Sequence, residues 1–352
     1  MKLHGLDEVQ WESLRVDFGL DARRVPFLLQ QLATGTTAEA TQALTELRRT
    51  VSAGRQCSEA APPTIPFLAQ VLTQRDEVGL RRLLVELLHE LGAGPARALF
   101  PAPPPRPCFE PEPPEDEDDG EFLSPADKAQ WQLECHVSVE LLLPAVLPLL
   151  EDVNDGLVSA TIALLASFPE AAALTTPALW KLAREEDDSP LGGQALVALA
   201  YLRAPGVADA ARVTFDAHQG SPLAFWAATA DVLASPAPSA IALHQVFGLP
   251  RAQHRQPCPF TGTVARLQRR VLGRLPRASV THAIAAVSSH PDFVSELEGA
   301  RCVVRWAASS TGDDRRRALT ILAQRGPWGL AAFVRLLEEY GFPTAPHALL
   351  VA

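Results

Sequence analysis

The 352-residue sequence is poor in the residues that build β-sheets. Aromatic residues make up only 6% of it, β-branched residues are sparse, and alanine and leucine dominate. Because the summed intrinsic preferences of this composition favour helix over strand, we expect an all-α protein with almost no sheet. The hydrophobic share of 47% is large enough for a sizeable core and excludes a chain that is disordered throughout.

Targeting signals and paired cysteines are lacking as well. The stretch MKLHGLDEVQWESLRVDFGL has no apolar core before a small-residue cleavage site, and no uninterrupted run of about 18 apolar residues occurs. These absences predict a cytoplasmic protein that does not associate with a membrane. The cysteines are odd in number and far apart, which is unlike a disulfide framework and predicts reduced thiols. They are Cys57, Cys108, Cys135, Cys258 and Cys302.

Motifs of catalysis and cofactor binding are also missing. There is no glycine-rich phosphate loop, no nucleophile elbow and no zinc-binding helix motif. Cys135 and His136 are neighbours, but adjacent residues of a helix point to different sides, so the pair cannot share one metal or substrate. His254 and Cys258 have a usable ligand spacing, yet zinc needs three or four ligands. We therefore expect no enzyme, no catalytic residue, no cofactor and no metal site.

Charge is distributed unevenly along the chain. Only three of the 31 basic residues are lysines, a bias typical of a GC-rich coding sequence, which favours a bacterial origin. Residues 251–352 contain 14 arginines and seven carboxylates, which leaves −17 for residues 1–250 in a chain of net charge −10. Residues 251–291 contain seven arginines and no carboxylate. Such an excess would attract an anionic partner or the acidic stretch of the same chain, but we favour the simpler explanation that the arginine stems cover apolar surface.

The sequence between residues 62 and 92 predicts a helical hairpin. The segment VGLRRLLVELLHELG (78–92) places leucines at steps of three and four residues, with arginines and glutamates on the other face. The preceding segment PPTIPFLAQVLTQ has the same apolar periodicity after a proline pair that favours a helix start. A short polar turn at Arg75–Glu77 joins the two. Together they predict two antiparallel helices.

The same unit recurs along the chain. Copies run over 25–49, 141–170, 176–205 and 207–236, and equivalent positions lie roughly 33–40 residues apart, the spacing of helical-pair repeats. One hairpin cannot bury its apolar face alone, whereas stacked neighbours share a continuous core. The tandem copies therefore predict an α-α superhelix, a solenoid of stacked hairpins. A compact helical bundle is the alternative.

These segments resemble HEAT repeats, in which a first helix, an acidic turn and a second helix recur. LPAVLPLLEDVNDGLVSATIALLASFPE and LTILAQRGPWGLAAFVRLLEEYGFP look like segments of bacterial HEAT-repeat proteins whose roles are mostly unassigned. The resemblance implies an armadillo-like solenoid with an aspartate in the turn and an arginine early in the second helix. Asp76 and Arg81 approximate that pattern, whereas Ser159 and Gly193 stand where the arginine would fall.

Between two of the hairpins lies an acidic, proline-rich insertion. It carries eight carboxylates and no basic residue between Glu110 and Glu121, and we expect a solvated loop. Three other interpretations stay open: a polyproline ligand in PAPPPRP, a divalent cation site, and docking to a basic surface. The predicted organisation is N-terminal HEAT-like repeats (1–99), the loop insertion (100–127), central repeats (128–249), a Pro-rich loop (250–262), and divergent repeats with a capping helix (263–352).

The repeat pattern and the lack of catalytic motifs predict a scaffold rather than an enzyme, and the charge segregation suggests a basic partner. We expect a non-enzymatic HEAT-repeat protein that binds a protein partner, as an immunity protein neutralises a basic effector. Acidic turns would supply the partner-binding residues Glu151, Asp152, Asp155, Glu186, Asp187 and Asp188. The alternative is a nucleic-acid-binding or DNA-repair protein whose phosphate contacts come from Arg266, Arg269 and Arg270.

Overall fold

The computed structural model describes most of the chain. It covers residues 3–16, 20–52, 57–93, 125–185, 189–249, 253, 256–275, 279, 282–283, 286–287, 294–295 and 297–351, with the side chains of 125, 185, 269, 272–274 and 298 also outside the description. Seventeen α-helices and one two-stranded ladder lie within this part. The prediction of an all-α protein is therefore confirmed. The acidic stretch 110–121 lies outside the described residues.

The described residues form two compact units, one up to Leu179 and one from Trp180 onward. In the first, short 3₁₀ helices at Leu6–Glu8, Trp11–Ser13 and Ala22–Arg24 precede the longer helices. These are α1 (Val25–Thr34), α2 (Thr37–Val51), α3 (Ala61–Gln74), α4 (Val78–Ala93), α5 (Pro125–Glu140), α6 (Leu143–Val146) and α7 (Asp155–Leu165), with 3₁₀ segments at Leu147–Glu151 and Pro169–Ala171. Helix α8 (Ala172–Glu185) contains the boundary between the units.

The second unit is helical apart from one small hairpin. Its helices are α9 (Pro190–Tyr201), α10 (Val207–Ala217), α11 (Pro222–Ala234), α12 (Ala240–Phe247), α13 (Val264–Arg274), α14 (Leu297–Ser309), α15 (Gly312–Arg325), α16 (Ala331–Glu339) and α17 (Pro346–Leu349). Strands β1 (Pro257–Cys258) and β2 (Gly262–Thr263) pair antiparallel. The hairpin thus lies within the predicted Pro-rich loop.

Local sequence explains how the first helices begin and end. Thr36 caps α2 in a reciprocal capping box: Glu39 N donates to Thr36 Oγ1 at 3.4 Å, and Thr36 N donates to Glu39 Oε2 at 2.7 Å. These hydrogen bonds from Thr36 hold the pKa of the Glu39 carboxyl below its usual value. Helix α3 begins with prolines in its first turn, and the predicted turn at 75–77 separates it from α4. The hairpin at 62–92 is therefore confirmed.

In the first unit, the helices pack on helices two or three steps further along the chain. Helix α1 contacts α3, α2 contacts α4, α3 contacts α5, and α4 contacts α7. The predicted apolar face of α4 lies in this core, although Leu83 remains half-buried. Its buried leucines are Leu80, Leu84, Leu87, Leu88 and Leu91.

The first helix of the 141–170 copy departs from the prediction. Instead of one helix over 141–150, a single α-helical turn (α6) is followed by a 3₁₀ segment. Pro144 and Pro148 explain the break, because proline has no N–H to donate to a preceding carbonyl. The long helix that precedes this segment is α5, which begins at Pro125, so its first turn falls in the range predicted for the loop insertion.

In the second unit, α9 and α11 pack at very short range. Gly193 permits this approach, because a Cβ atom there would lie 2.5 Å from the Trp226 Cβ. On the same helices, Tyr201 and Trp226 contact Phe260 at the tip of the β-hairpin, with ring centroids 5.8 and 6.0 Å away. The hairpin is therefore held by an aromatic cluster rather than by its two-residue ladder.

The C-terminal end contains one turn more than predicted. Helix α16 ends shortly before a glycine. Gly341 has a φ of 68°, in the left-handed region, and Phe342 N donates to Leu337 O at 2.8 Å. Instead of capping the chain, α16 is followed by α17.

No single helix in the described ranges is both long and apolar enough to cross a membrane. Two bent helix pairs pass the test of length and composition when their members are taken together.

Candidate interaction surface

The predicted acidic turn before α7 divides into structural and exposed carboxylates. Asp152 accepts a hydrogen bond from Arg81 Nη1 at 3.0 Å and one from Asn154 N at 3.0 Å, and its side chain is largely buried. It therefore ties the turn to α4. Glu151 and Asp155 are exposed, and Asp155 lies in the first turn of α7, where the helix dipole favours a negative charge.

The other predicted acidic turn is not described. Glu186, Asp187 and Asp188 lie outside the described residues, so the ridge predicted from both turns stays a prediction.

The predicted basic residues of α13 differ in their surroundings. Arg266 is exposed. Arg270 is half-buried and its Nη1 donates to Phe260 O at 3.3 Å, which fixes the tip of the β-hairpin to α13. The Arg269 side chain lies outside the described residues. At least one of the three arginines is therefore engaged by its own chain rather than directed to a partner.

Helix α5 carries two apolar rows on nearly opposite faces. Trp131, Cys135 and Val139 are buried against the unit. The second row starts two residues later, about 200° around the helix. Its members are Leu133 and Val137 of α5 and Leu141, the first residue after the helix, and they are 48%, 46% and 76% exposed. This outer row, the α5 row, is a set of large apolar side chains in solvent.

An arginine from the N-terminal segment fixes the start of α5. The Arg15 guanidinium lies 2.9 Å from Glu59 Oε2 and 3.2 Å from Asp127 Oδ2, and its centre lies 4.9 Å from the centroid of the Trp131 ring. The hydrogen bond to Glu59 is the main cause of a raised Arg15 pKa, and Asp127 adds to it. Two carboxylates and one aromatic ring thus meet at one cation.

Buried hydrogen bonds fix the middle of α5 to the end of α4. Gln132 Nε2 donates to Leu91 O at 2.6 Å, and the Cys57 thiol donates to Gln132 Oε1 at 3.2 Å. Burial raises the pKa of the Cys135 thiol, and a contact with Cys57 adds to this effect. The buried face of α5 is therefore fixed by both hydrogen bonds and apolar packing. Because the helix cannot rotate, the α5 row on its other face is held in one orientation.

The side chains of His136 and of its neighbour Cys135 lie in different environments. His136 Nδ1 donates to Gly92 O at 2.8 Å, and the His136 ring stacks on Phe168 with centroids 4.6 Å apart. The Nε2 atom lies 3.7 Å from Glu170 Oε2. Since Cys135 points into the core towards Cys57, the two adjacent side chains do not converge on one ligand.

Another histidine joins α4 to the end of α7. His89 Nε2 lies 3.0 Å from Ser167 Oγ, and Ser167 Oγ also lies 3.2 Å from Ala163 O. Across the described part of the chain, no group of three or more His, Cys, Asp or Glu side chains has an arrangement that could hold a metal ion.

The region around α5 is strongly acidic. Residues 125–179 contain seven carboxylates and one basic residue, Lys128. Asp127 and Asp152 pair with arginines of other segments. The carboxylates are Asp127, Glu134, Glu140, Glu151, Asp152, Asp155 and Glu170.

Two of these carboxylates lie on α5 itself and have no cation beside them. Glu134 accepts a hydrogen bond from Gln130 Nε2 at 2.8 Å, and neither Glu134 nor Glu140 forms an ion pair within the described ranges. The surface of α5 thus combines uncompensated negative charge with exposed apolar side chains.

Sequence reasoning missed the α5 row. The apolar residues at 133, 137 and 141 are visible as an i, i+4, i+8 pattern, but 131, 135 and 139 show the same spacing. Periodicity alone cannot say which of two opposite rows faces solvent.

Comparison with known proteins assigns no family. No family model matches the chain, and no curated protein matches it.

Proposed function

We propose that this protein is a non-enzymatic scaffold of HEAT-like helix pairs that binds a basic protein partner. The repeat interpretation is supported within the first unit by the packing of α1, α2 and α3, each on the helix two steps further along. In a helical-pair repeat, first helices stack on first helices and second helices on second helices. The contacts of α1 with α3 and of α2 with α4 follow this order.

The observation that carries the choice of partner is the charge of residues 125–179. With seven carboxylates and one lysine, this region attracts cationic proteins and repels nucleic acid. Glu134 and Glu140 are available for such a partner because neither is neutralised by an arginine of the described chain. A basic effector or toxin that is neutralised by binding, as by an immunity protein, is the partner class that fits this charge.

Nucleic-acid binding through α13 is the weaker candidate. Arg266 is exposed, but Arg270 donates to the backbone of the β-hairpin. Phosphate contacts by several exposed cations would be needed for stable binding to duplex DNA.

The test compares the two partner classes on the full-length protein. Biolayer interferometry would measure binding of a panel of small basic proteins and of duplex DNA at several salt concentrations. We expect binding of basic proteins that weakens as salt rises, because exposed charges are screened. Substituting Glu134→Gln together with Glu140→Gln should weaken this binding severalfold.

A matched control removes the same charge elsewhere. Glu338 and Glu339 are exposed at the end of α16, and their double substitution by glutamine removes the same two negative charges. This control should leave binding almost unchanged. Equal weakening in both double variants would show a non-specific charge effect, and binding of DNA alone would contradict the proposed partner class.

A further inference from the structure

From the exposed apolar residues of α5 we infer that this helix is the docking site for an amphipathic helix of the partner, one that carries Lys or Arg beside its own apolar row. This inference rests on the proposed function, because it gives the basic partner a specific shape and place. The α5 row consists of Leu133 and Val137 of α5 and of Leu141 directly after it, whose N donates to Val137 O at 3.1 Å and so continues the four-residue spacing. Side chains at this spacing form a ridge along one helix, onto which a second helix packs.

The size of the row suits one helix. The three apolar side chains of the row, each about half exposed or more, present an apolar surface on the order of a few hundred Å² to solvent. This is the size of a functional patch on a monomer. A stable dimer of whole proteins needs about 800 Å² from each partner. Helix-in-groove recognition uses a few apolar anchors at these intervals.

The charges beside the row select the partner's chemistry. On an α-helix, Glu134 and Glu140 project about 60° to either side of the mean direction of the row, whereas Lys128 projects about 180° away from it. A partner helix lying on the row would therefore have a glutamate on each flank. Lysines or arginines at its edges would be attracted to them, as in the flanking positions of coiled coils.

The same charges disfavour a second copy of this chain. Two α5 rows packed on each other would bring Glu134 and Glu140 close to the same residues of the other copy. Like charges across an interface are repulsive. A basic amphipathic helix is attracted to these glutamates, whereas a second copy of the chain is repelled by them.

The row is also pre-organised. Arg15 holds the first turn of α5, while Gln132 and His136 bond to carbonyl groups near the end of α4. Docking therefore does not need to order this helix first, which lowers the entropic cost of binding.

The experiment uses the full chain and fluorescein-labelled peptides. The first peptide is a basic amphipathic helix with leucines at steps of three and four residues and lysines or arginines on the flanks. The second has glutamate in place of each basic residue, and the third is a scramble of the first. We expect fluorescence anisotropy to show at least tenfold tighter binding of the first peptide than of the other two.

The variant Leu133→Ser with Leu141→Ser removes two members of the row, and we expect it to weaken binding of the basic peptide at least tenfold. The control variant Leu330→Ser with Leu350→Ser removes two leucines that are 46% and 55% exposed in the second unit and should change binding less than twofold. Because all four leucines are solvent-exposed, circular dichroism and the melting temperature should stay unchanged in both variants.

Each contrary result has its own meaning. If the row variant binds the basic peptide as tightly as the wild type, or if the scrambled peptide binds equally well, the docking site is refuted. If basic proteins still bind and still depend on Glu134 and Glu140, the proposed function survives that result. Failure of every basic probe to bind the wild type overturns both. Self-association in sedimentation velocity that the row variant abolishes would make the occupant a second copy.

Discussion

Replacing Gly193 by alanine tests how closely α9 and α11 pack. The added Cβ would lie 2.5 Å from the Trp226 Cβ and 2.8 Å from Leu223 Cδ1. Because the Trp226 Cβ is fixed to its own backbone, it cannot rotate away, and the helices must separate. Overpacking of this kind costs about 1–3 kcal/mol. Alanine in a helix interior returns at most about 1 kcal/mol over glycine. Because a Cβ–Cβ separation of 2.5 Å puts the clash at the upper end of that range, the expected net loss is about 2 kcal/mol.

Urea denaturation followed by circular dichroism would measure this loss as a lower midpoint at unchanged slope. Gly79→Ala is the matched control, because Gly79 also lies in a helix but a Cβ there meets no atom within 4 Å. The control should gain a few tenths of a kcal/mol to about 1 kcal/mol from helix propensity alone. If Gly193→Ala is as stable as the wild type, or gains as much as the control, the close approach of α9 and α11 is not as described.

Two further outcomes are expected. Asp231 is 1% exposed, burial raises its pKa, and its nearest cation, Arg212 Nη2, lies 3.6 Å away. A raised carboxyl pKa means that stability is lost as pH rises from the unfolded-state pKa through the folded-state pKa. Asp231→Asn, which cannot ionise, should therefore gain stability relative to wild type as the pH rises above the unfolded-state pKa, and a pH-independent difference in urea titrations would contradict this. The four described cysteines are buried, so in a Cys108→Ser variant DTNB should label no thiol before unfolding and four afterwards; rapid labelling of the native variant would disprove their burial.

The polar contacts between helix pairs show where a family-level pattern is informative and where it fails. Arg81 stands early in its second helix, as the resemblance to HEAT repeats implies, and it pairs with Asp152 in the turn of the following copy. Gly193 occupies the corresponding place in a later copy and has no side chain with which to pair. The structure gives the reason, because the space an arginine would need is filled by Trp226 and Leu223.

Helix positions were largely predictable because they depend on local information. Apolar residues at steps of three and four and polar turns lie close together in sequence, and they gave the hairpin at 62–92 correctly. The split of 141–150 was also encoded locally, by Pro144 and Pro148, but the strong apolar pattern of that segment outweighed the prolines in the prediction.

The sequence by itself determined the all-α class, most helix boundaries and the excess of acid in residues 125–179, since these follow from composition and from short-range spacing. Only the tertiary structure decided which of the two apolar rows of α5 is buried and which is exposed. Both rows repeat every fourth residue, and only long-range contacts tell them apart: Arg15 meets Trp131, and Gln132 and His136 bond to the end of α4. The side of α5 opposite these contacts is therefore the one that remains exposed.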